Sequence, residues 1–475
     1  MIRPTLFVTA LLACALLSGC ASQNASSTPV TPAAVKASAA EAAPLQPVAR
    51  GTLAAEAAVP VTAQTPAPVE APPEKPQLFE RGAFEDPKVC STCHSAIHAE
   101  WSQSMHANAW QNNWYQPDFL HAHQDTDGAT DLLCGACHAP IAARTGLLPP
   151  ADGSKFDAAS RRGISCDFCH TVTGVSQMFN MGHISEPGNV KFGPRGDGRS
   201  LYHEVKYTEI HTRADFCGSC HMVIHPTTGV HIIDTWEDWK NNDYGKEGVT
   251  CQNCHMTPTP GVVKSPGRAA LMGKERDNLA YHGFVGGSSY VQDALGNKEQ
   301  AERSREFLRS AAEVRLAPQV DADGTLALTV DVHNVGAGHK IPTGTTYIRI
   351  MWLQVDVVDS AGKQVYSSGH VDQKNHVDPD AVFFRLLFRD ADGNLTGKSW
   401  QAHGIGYDRR IPARGKDSET YRIPLPGKGE YRITARLMYR SFTQKSLDEI
   451  FERTGQALPP VVSVEMAAAQ AKVSL

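Results

Sequence analysis

Ten cysteines fall into five copies of one pattern: "CSTCH" (90–94), "CGACH" (134–138), "CDFCH" (166–170), "CGSCH" (217–221) and "CQNCH" (251–255). Two cysteines three apart lie on one side of a turn. The sulfurs of Cys90 and Cys93, Cys134 and Cys137, Cys166 and Cys169, Cys217 and Cys220, and Cys251 and Cys254 can therefore each bond the two vinyl edges of one porphyrin. The adjacent histidine, His94, His138, His170, His221 or His255, then swings under the iron as proximal ligand. C-x-x-C-H is the attachment signature of c-type haem. A lone copy also reads as half a zinc site or a redox dithiol. A zinc reading of five copies would not demand histidine at the fifth position every time, and a disulfide framework would not keep one short spacing throughout. The expected cofactor is five covalently bound c-type haems.

Motif starts are separated by 44, 32, 51 and 34 residues, too irregular for a solenoid. Packing five macrocycles into one short stretch replaces much of the side-chain core and brings the haems close enough to exchange electrons. Five proximal ligands leave fifteen of the twenty histidines unassigned. A second axial histidine suits iron to electron transfer, whereas an open position lets it bind a small molecule. His98 and His225 follow their own motifs too closely to reach the opposite haem face, and Met222 and Met256 are excluded for the same reason.

The stretches "CHSAIHAEWSQSMHANAW", "RRGISCDFCH", "TWEDWKNNDYGKEGVTCQNCHM", "YHGFVGG" and "GAGHKIPTG" resemble, in this order, the motifs of multihaem cytochromes of the cytochrome c554 type. The resemblance covers roughly residues 85–345 and implies a periplasmic or surface electron carrier. It also implies that His106, His282 and His339 are distal ligands, with one or two more from His203 and His211 in "LYHEVKYTEIH". The simplest pattern has four haems and this chain has five motifs, so the pairing of histidine to iron stays open. His106 has an alternative place as a packed helix residue. His121, His123, His183 and His231 read as surface loop residues, His333 as solvated on its strand, and His370, His376 and His403 have no supporting context.

The elements that must position these groups change along the chain. Arg3 and the apolar "LFVTALLACALL" read as a targeting segment, too short to span a bilayer. It ends in "LSGC", which resembles a lipobox, making residues 1–19 a lipoprotein signal peptide and Cys20 the lipidated residue. Ala21 and Ser22 follow without an aspartate, which favours the outer membrane. Residues 20–78 read as an Ala/Pro-rich disordered tether, averaging ~40 Å end to end as a coil and reaching ~180 Å if Pro-stiffened.

Residues 79–314 form the expected pentahaem domain of short helices and coil, with helical stretches at 96–110, 235–241 and 298–314. From 315 to 475 the pattern is that of a β-sandwich-like domain. "LALTVDV" alternates at period two, and 347–369 and 419–440 read as strand–turn–strand units. "SLDEIFERTG" reads as a short helix with a capping box at Ser446 and Glu449, ending at Gly455. The odd feature of this region is "HNVGAGHKIPTG". Gly336 and Gly338 would let the chain approach a flat macrocycle and Pro342 would set its exit, so His339 could reach from the strand domain to a haem iron.

The balance of 45 Lys+Arg against 50 Asp+Glu, without basic runs, excludes nucleic acid as a partner class. Redox partner proteins and a membrane, through the lipid anchor, are the expected contacts. An electron conductor is the favoured function. The alternative is a small-molecule oxidoreductase acting on a nitrogen or sulfur oxide at one open-site haem. The absence of a C-x-x-C-K motif, and fewer motifs than eight-haem enzymes carry, weigh against that alternative without excluding it. A third reading, a subunit of a haem filament or porin-linked conduit docked through the strand domain, is opposed by the anchor.

Overall fold

The computed structural model describes residues 77–261 and 265–475. Cys20, the signal segment and the tether up to residue 76 lie outside the described residues. Among the described residues no helix is long and apolar enough to cross a membrane.

The first region is built of short helices joined by irregular chain. Four motifs end helices at their histidine: Asp131–His138, Cys166–His170, Asp215–His221 and Cys251–His255. The first spans the end of Pro87–Cys90 and the start of Ser95–Ser102, with His94 as N-cap. Three further helices are α1 (Tyr115–Asp125), α2 (Thr235–Asn241) and α3 (Lys298–Ala311). The expected helix over 96–110 stops at Ser102, so His106 lies in a turn rather than on a helix face. Side chains there satisfy the backbone in place of the helical ladder. Ser104 Oγ accepts from Ala107 N at 3.1 Å, and Asn108 Nδ2 donates to Ser104 O at 2.8 Å. Apolar packing in this region is divided among small clusters, around Trp110, Phe168 and Trp236.

The second region is antiparallel strand. One sheet orders β5 (Lys416–Pro424), β2 (Thr325–Asn334) and β1 (Ala312–Val320). The other orders β4 (Gln364–Ser368), β3 (Ile350–Asp359), β6 (Glu430–Arg440) and β7 (Val464–Ser474). Leu326, Leu328, Val330 and Val332 on β2 face a single apolar cluster that also takes Leu353 and Val355 of β3 and Ile433, Ala435 and Leu437 of β6. The 419–440 unit is not a hairpin: β5 pairs with β2 while β6 pairs with β3, so the intervening turn passes the chain between sheets.

Strand begins at Ala312, directly after α3 and before the expected boundary at 315. Ala312 and Val314 enter the apolar cluster on alternate positions, and that burial overrides the helix preference of "SAAEV". Helix α4 (Gln444–Thr454) is capped by Thr443, whose hydroxyl accepts from Ser446 N at 3.1 Å, rather than by Ser446. Gly455 closes it in the left-handed conformation, as expected.

The regions interlock within one compact unit. Ile232 packs with Tyr347, Leu386 and Phe388, and Trp114 and Tyr290 pack with Leu447 and Val461. Arg410, its side chain 3% exposed, donates to both oxygens of Asp234 at 2.7 and 2.8 Å and to Asp408 at 2.8 and 2.7 Å. That triad, built on a buried guanidinium, joins the start of α2 to the strand region.

Candidate haem sites

All ten motif cysteines are half-buried, and among the described residues no disulfide joins them. Motifs distant in sequence meet through these sulfurs. The Cys90 side chain lies near that of Cys166, Cys217 near Cys251, and Cys220 near Cys137. Cys169 in turn neighbours Cys217 and Cys220. The first motif therefore stands beside the third, the third beside the fourth, and the fourth beside both the fifth and the second.

Four of the five motif histidines are held by one device. His94 Nδ1 donates to Ala269 O at 2.5 Å, His138 to Ala109 O at 2.9 Å, His170 to Phe192 O at 2.7 Å and His255 to Val285 O at 2.7 Å. A carbonyl oxygen can only accept, so Nδ1 carries the proton and Nε2 keeps a free lone pair, as in metal-ligating histidines. His203, His282 and His339 use the same arrangement, to Glu204 O, Ala280 O and Lys340 O. His211 reverses it: its Nε2 is the atom turned to Val172 O, at 3.2 Å.

Two metal–nitrogen bonds of about 2 Å, with the rings behind them, separate imidazole centres by roughly 6.3 Å. His94 and His203 lie 6.3 Å apart, His106 and His221 6.3 Å, His255 and His339 6.3 Å, and His170 and His282 6.5 Å. His211 is stacked on His170 at 5.5 Å, too near for iron between them. Burial favours the uncharged form of six of these rings, the form that binds a metal. It pushes His106 down to about 3, His221, His255 and His282 to about 4, and lowers His339 and His170. The residues fit haem on three counts: thiol spacing, free Nε2 atoms and ring separation. They do not fit zinc, because no group of three or more His, Cys, Asp or Glu side chains converges among the described residues.

The second motif differs. Among the described residues, the ring packed on His138 is that of Tyr115, parallel at 3.8 Å, and no histidine faces it. The Tyr115 hydroxyl is buried without a hydrogen-bond partner, and burial holds it well above its ordinary value. Nearby, Tyr347 donates to Asp118 at 3.3 Å, and burial pushes that carboxyl up to about 6.

Several positioning residues escaped the sequence reading. Gly163, at φ 60°, lets the third motif's approach run under His106, whose carbonyl a Cβ would meet at 2.3 Å and which accepts from Ile164 N at 3.0 Å. Glu100 accepts from His282 N at 2.9 Å. In the His339 loop the glycines serve polypeptide rather than macrocycle. A Cβ on Gly336 would meet Ser310 O at 2.1 Å and one on Gly338 the Tyr244 ring at 3.3 Å, and neither glycine has positive φ. Asn242 donates to Gly338 O at 2.7 Å, and Asp238 accepts from Lys340 N, so α2 anchors the loop.

Among the remaining histidines, His121 and His123 lie on α1 rather than in a loop, the latter bonded to Asp131 at 2.9 Å. His183 is buried on a short strand with Nε2 against Phe216 O at 2.7 Å, and its carbonyl accepts from the buried Arg144. His225 is buried too, holding Trp400 O at 3.2 Å across the two regions. Only their contacts distinguish them from loop residues.

Residues 89–171, which hold the first three motifs, match the family described as cytochrome c554 and c-prime. The fold is similar to that of a penta-haem cytochrome c552 from Thermochromatium tepidum, at 20% identity and a TM-score of 0.59. That likeness covers 82% of this chain and 99% of that one. A CARDB domain from Pyrococcus furiosus aligns with 34% of this chain and 84% of that one at 15% identity, but its TM-score of 0.16 carries no structural argument. No curated protein sequence matches the chain. From its attachment motifs, its histidine geometry and these likenesses, the chain is a multihaem c-type cytochrome.

Proposed function

We propose that the chain binds five c-type haems and passes single electrons along them. The observation that carries this reading is the set of four histidine pairs at 6.3–6.5 Å, six of whose eight rings are anchored through Nδ1 so that Nε2 is free. In it, His203 serves the first motif, His282 the third, His106 the fourth and His339 the fifth. His211 is left out of ligation because its Nε2 is engaged. Haem, once attached, supplies a reversible one-electron couple. The chain ligates it, excludes water from the rings and fixes the order of sites: first, third, fourth, then a fork to fifth and second. An exported lipoprotein held at the outer membrane through Cys20, with the strand region as a two-layer sandwich, completes the proposal.

A second reading, reduction or oxidation of a nitrogen or sulfur oxide, is favoured by one observation: His138 faces no histidine. Electron paramagnetic resonance of the oxidised protein separates the two. Low-spin signals from four sites and one high-spin signal are expected. Catalytic turnover of nitrite, hydroxylamine or sulfite, with that signal responding to the added compound, would replace the conductor by the enzyme. Uniformly low-spin iron would instead mean that a ligand other than histidine closes the His138 site. The intact mass must exceed that of the peptide by five haems, and His339→Ala should turn one further site high-spin.

A further inference from the structure

The four most exposed large apolar side chains among the described residues are Leu201 (99%), Met272 (98%), Tyr202 (79%) and Leu271 (68%). All four surround the first motif. Leu201 and Tyr202 directly precede His203, the partner of His94 across 6.3 Å. Leu271 N donates to Cys93 O at 2.9 Å, two residues after the Ala269 carbonyl that holds His94. Val89, adjacent to Cys90, adds a fifth at 61%. A side chain facing a narrow slot between two rings would be shielded by the opposite wall. At 98–99% exposure Leu201 and Met272 instead project outward.

The two loops that carry this collar are tied together, since Arg276 donates to both oxygens of Asp197 at 2.7 Å and Arg195 donates to Asn278 O at 2.8 Å. Their charge opposes that of the whole chain. Arg195, Arg199, Lys206, Arg268, Lys274 and Arg276 stand against four carboxylates, while the chain has a formal net charge of −5. Exposed apolar groups at the centre of a cationic rim make an interface in which the rim steers encounter and the apolar patch holds contact. Among the described residues the helix ending at Cys90 packs on the helix that opens the third motif, which makes the first motif a terminal site of the proposed line.

We infer that this collar is the port at which a small one-electron carrier protein, acidic around its own cofactor edge, docks to exchange electrons with the first haem. The inference rests on the electron-transfer reading. A membrane surface would also take cations and apolar groups, but a collar confined to the haem at the end of the line matches a redox partner.

The test is stopped-flow reduction of the oxidised protein by flavodoxin hydroquinone, an acidic one-electron carrier, with dithionite as a small-molecule control. Reduction of the wild type by flavodoxin should slow as salt is raised. Leu201→Glu/Met272→Glu should slow it about tenfold at low salt, and Arg199→Glu, whose side chain makes no structural contact, by about threefold. Dithionite rates should be unchanged in both variants. Equal rates with flavodoxin in wild type and variants overturn the port. So does a wild-type dimer that the double variant dissociates, which assigns the collar to a second copy. Binding to phosphatidylglycerol vesicles that the double variant abolishes while flavodoxin rates hold assigns it to membrane. Haems that dithionite itself cannot reduce would sink the electron-transfer reading rather than the port.

Discussion

The two regions of this molecule solve the problem of a core differently. Between 77 and 311 the chain buries apolar groups in separate small clusters and ends its helices at the motif histidines. From 312 onward a single cluster spans two sheets. The first region divides its apolar packing among the C-x-x-C-H motifs, and the second gathers it into one core. Cofactor and polypeptide are thus interchangeable as core material, provided covalent bonds hold the cofactor where packing would otherwise be lost.

That contrast can be broken, and the largest effect should come from the fourth motif, which neighbours the second, third and fifth. Cys217→Ala/Cys220→Ala should leave residues 77–311 open to limited proteolysis while far-ultraviolet circular dichroism retains the strand signal. Simultaneous loss of both would mean that the strand region also depends on haem. Next, Arg410→Met removes the cation shared by half-buried Asp234 and by Asp408, and should cost about 2–4 kcal/mol in denaturant unfolding through the lost charge-assisted hydrogen bonds. A neutral result would show that the triad does not join the regions. Leu353→Ala empties space between the sheets and should cost about 2–5 kcal/mol with an unaltered haem spectrum. A changed spectrum would show the cores to be one.

The smallest effect lies at the seam, where His231 Nδ1 meets Glu237 at 2.7 Å. The glutamate hydrogen bond raises the His231 value, and the same bond lowers that of Glu237. The histidine's contribution is present below its unfolded value near 6.5 and is lost as pH rises through its raised folded value. The glutamate's is present above its unfolded value near 4.5 and is lost as pH falls through its lowered one. With both side chains about 40% exposed, His231→Gln should remove less than about 1 kcal/mol, and only in the window between. A stability difference that persists at pH 9 would mean the contact is packing, not charge.

Much of the site was legible from residue type and spacing. C-x-x-C-H requires two sulfurs and a nitrogen in local register, and local register is what a short sequence carries. The strand alternation of 326–332 was legible for the same reason, as was the left-handed close at Gly455. His106 was misplaced onto a helix because Ser104 and Asn108 bond the backbone locally, a competition that propensity does not weigh. His203 and His211 could not be ranked from sequence. The difference lies in which ring nitrogen meets a carbonyl: Nδ1 meets Glu204 O in His203, and Nε2 meets Val172 O in His211.

By itself the sequence determined the number of attachment motifs, the proximal histidines and the change from short helix to strand. Each depends on neighbours within a few residues. Only the tertiary structure decided which motifs adjoin, which distant histidine faces which proximal one, that His138 faces a tyrosine ring, and which apolar side chains stay outside. The physical reason is range. Sulfur and nitrogen positions within one turn are set by backbone geometry, whereas the partner of His94 lies at 203 and that of His255 at 339. Those separations are closed by packing, hydrogen bonds and ion pairs drawn from the whole chain.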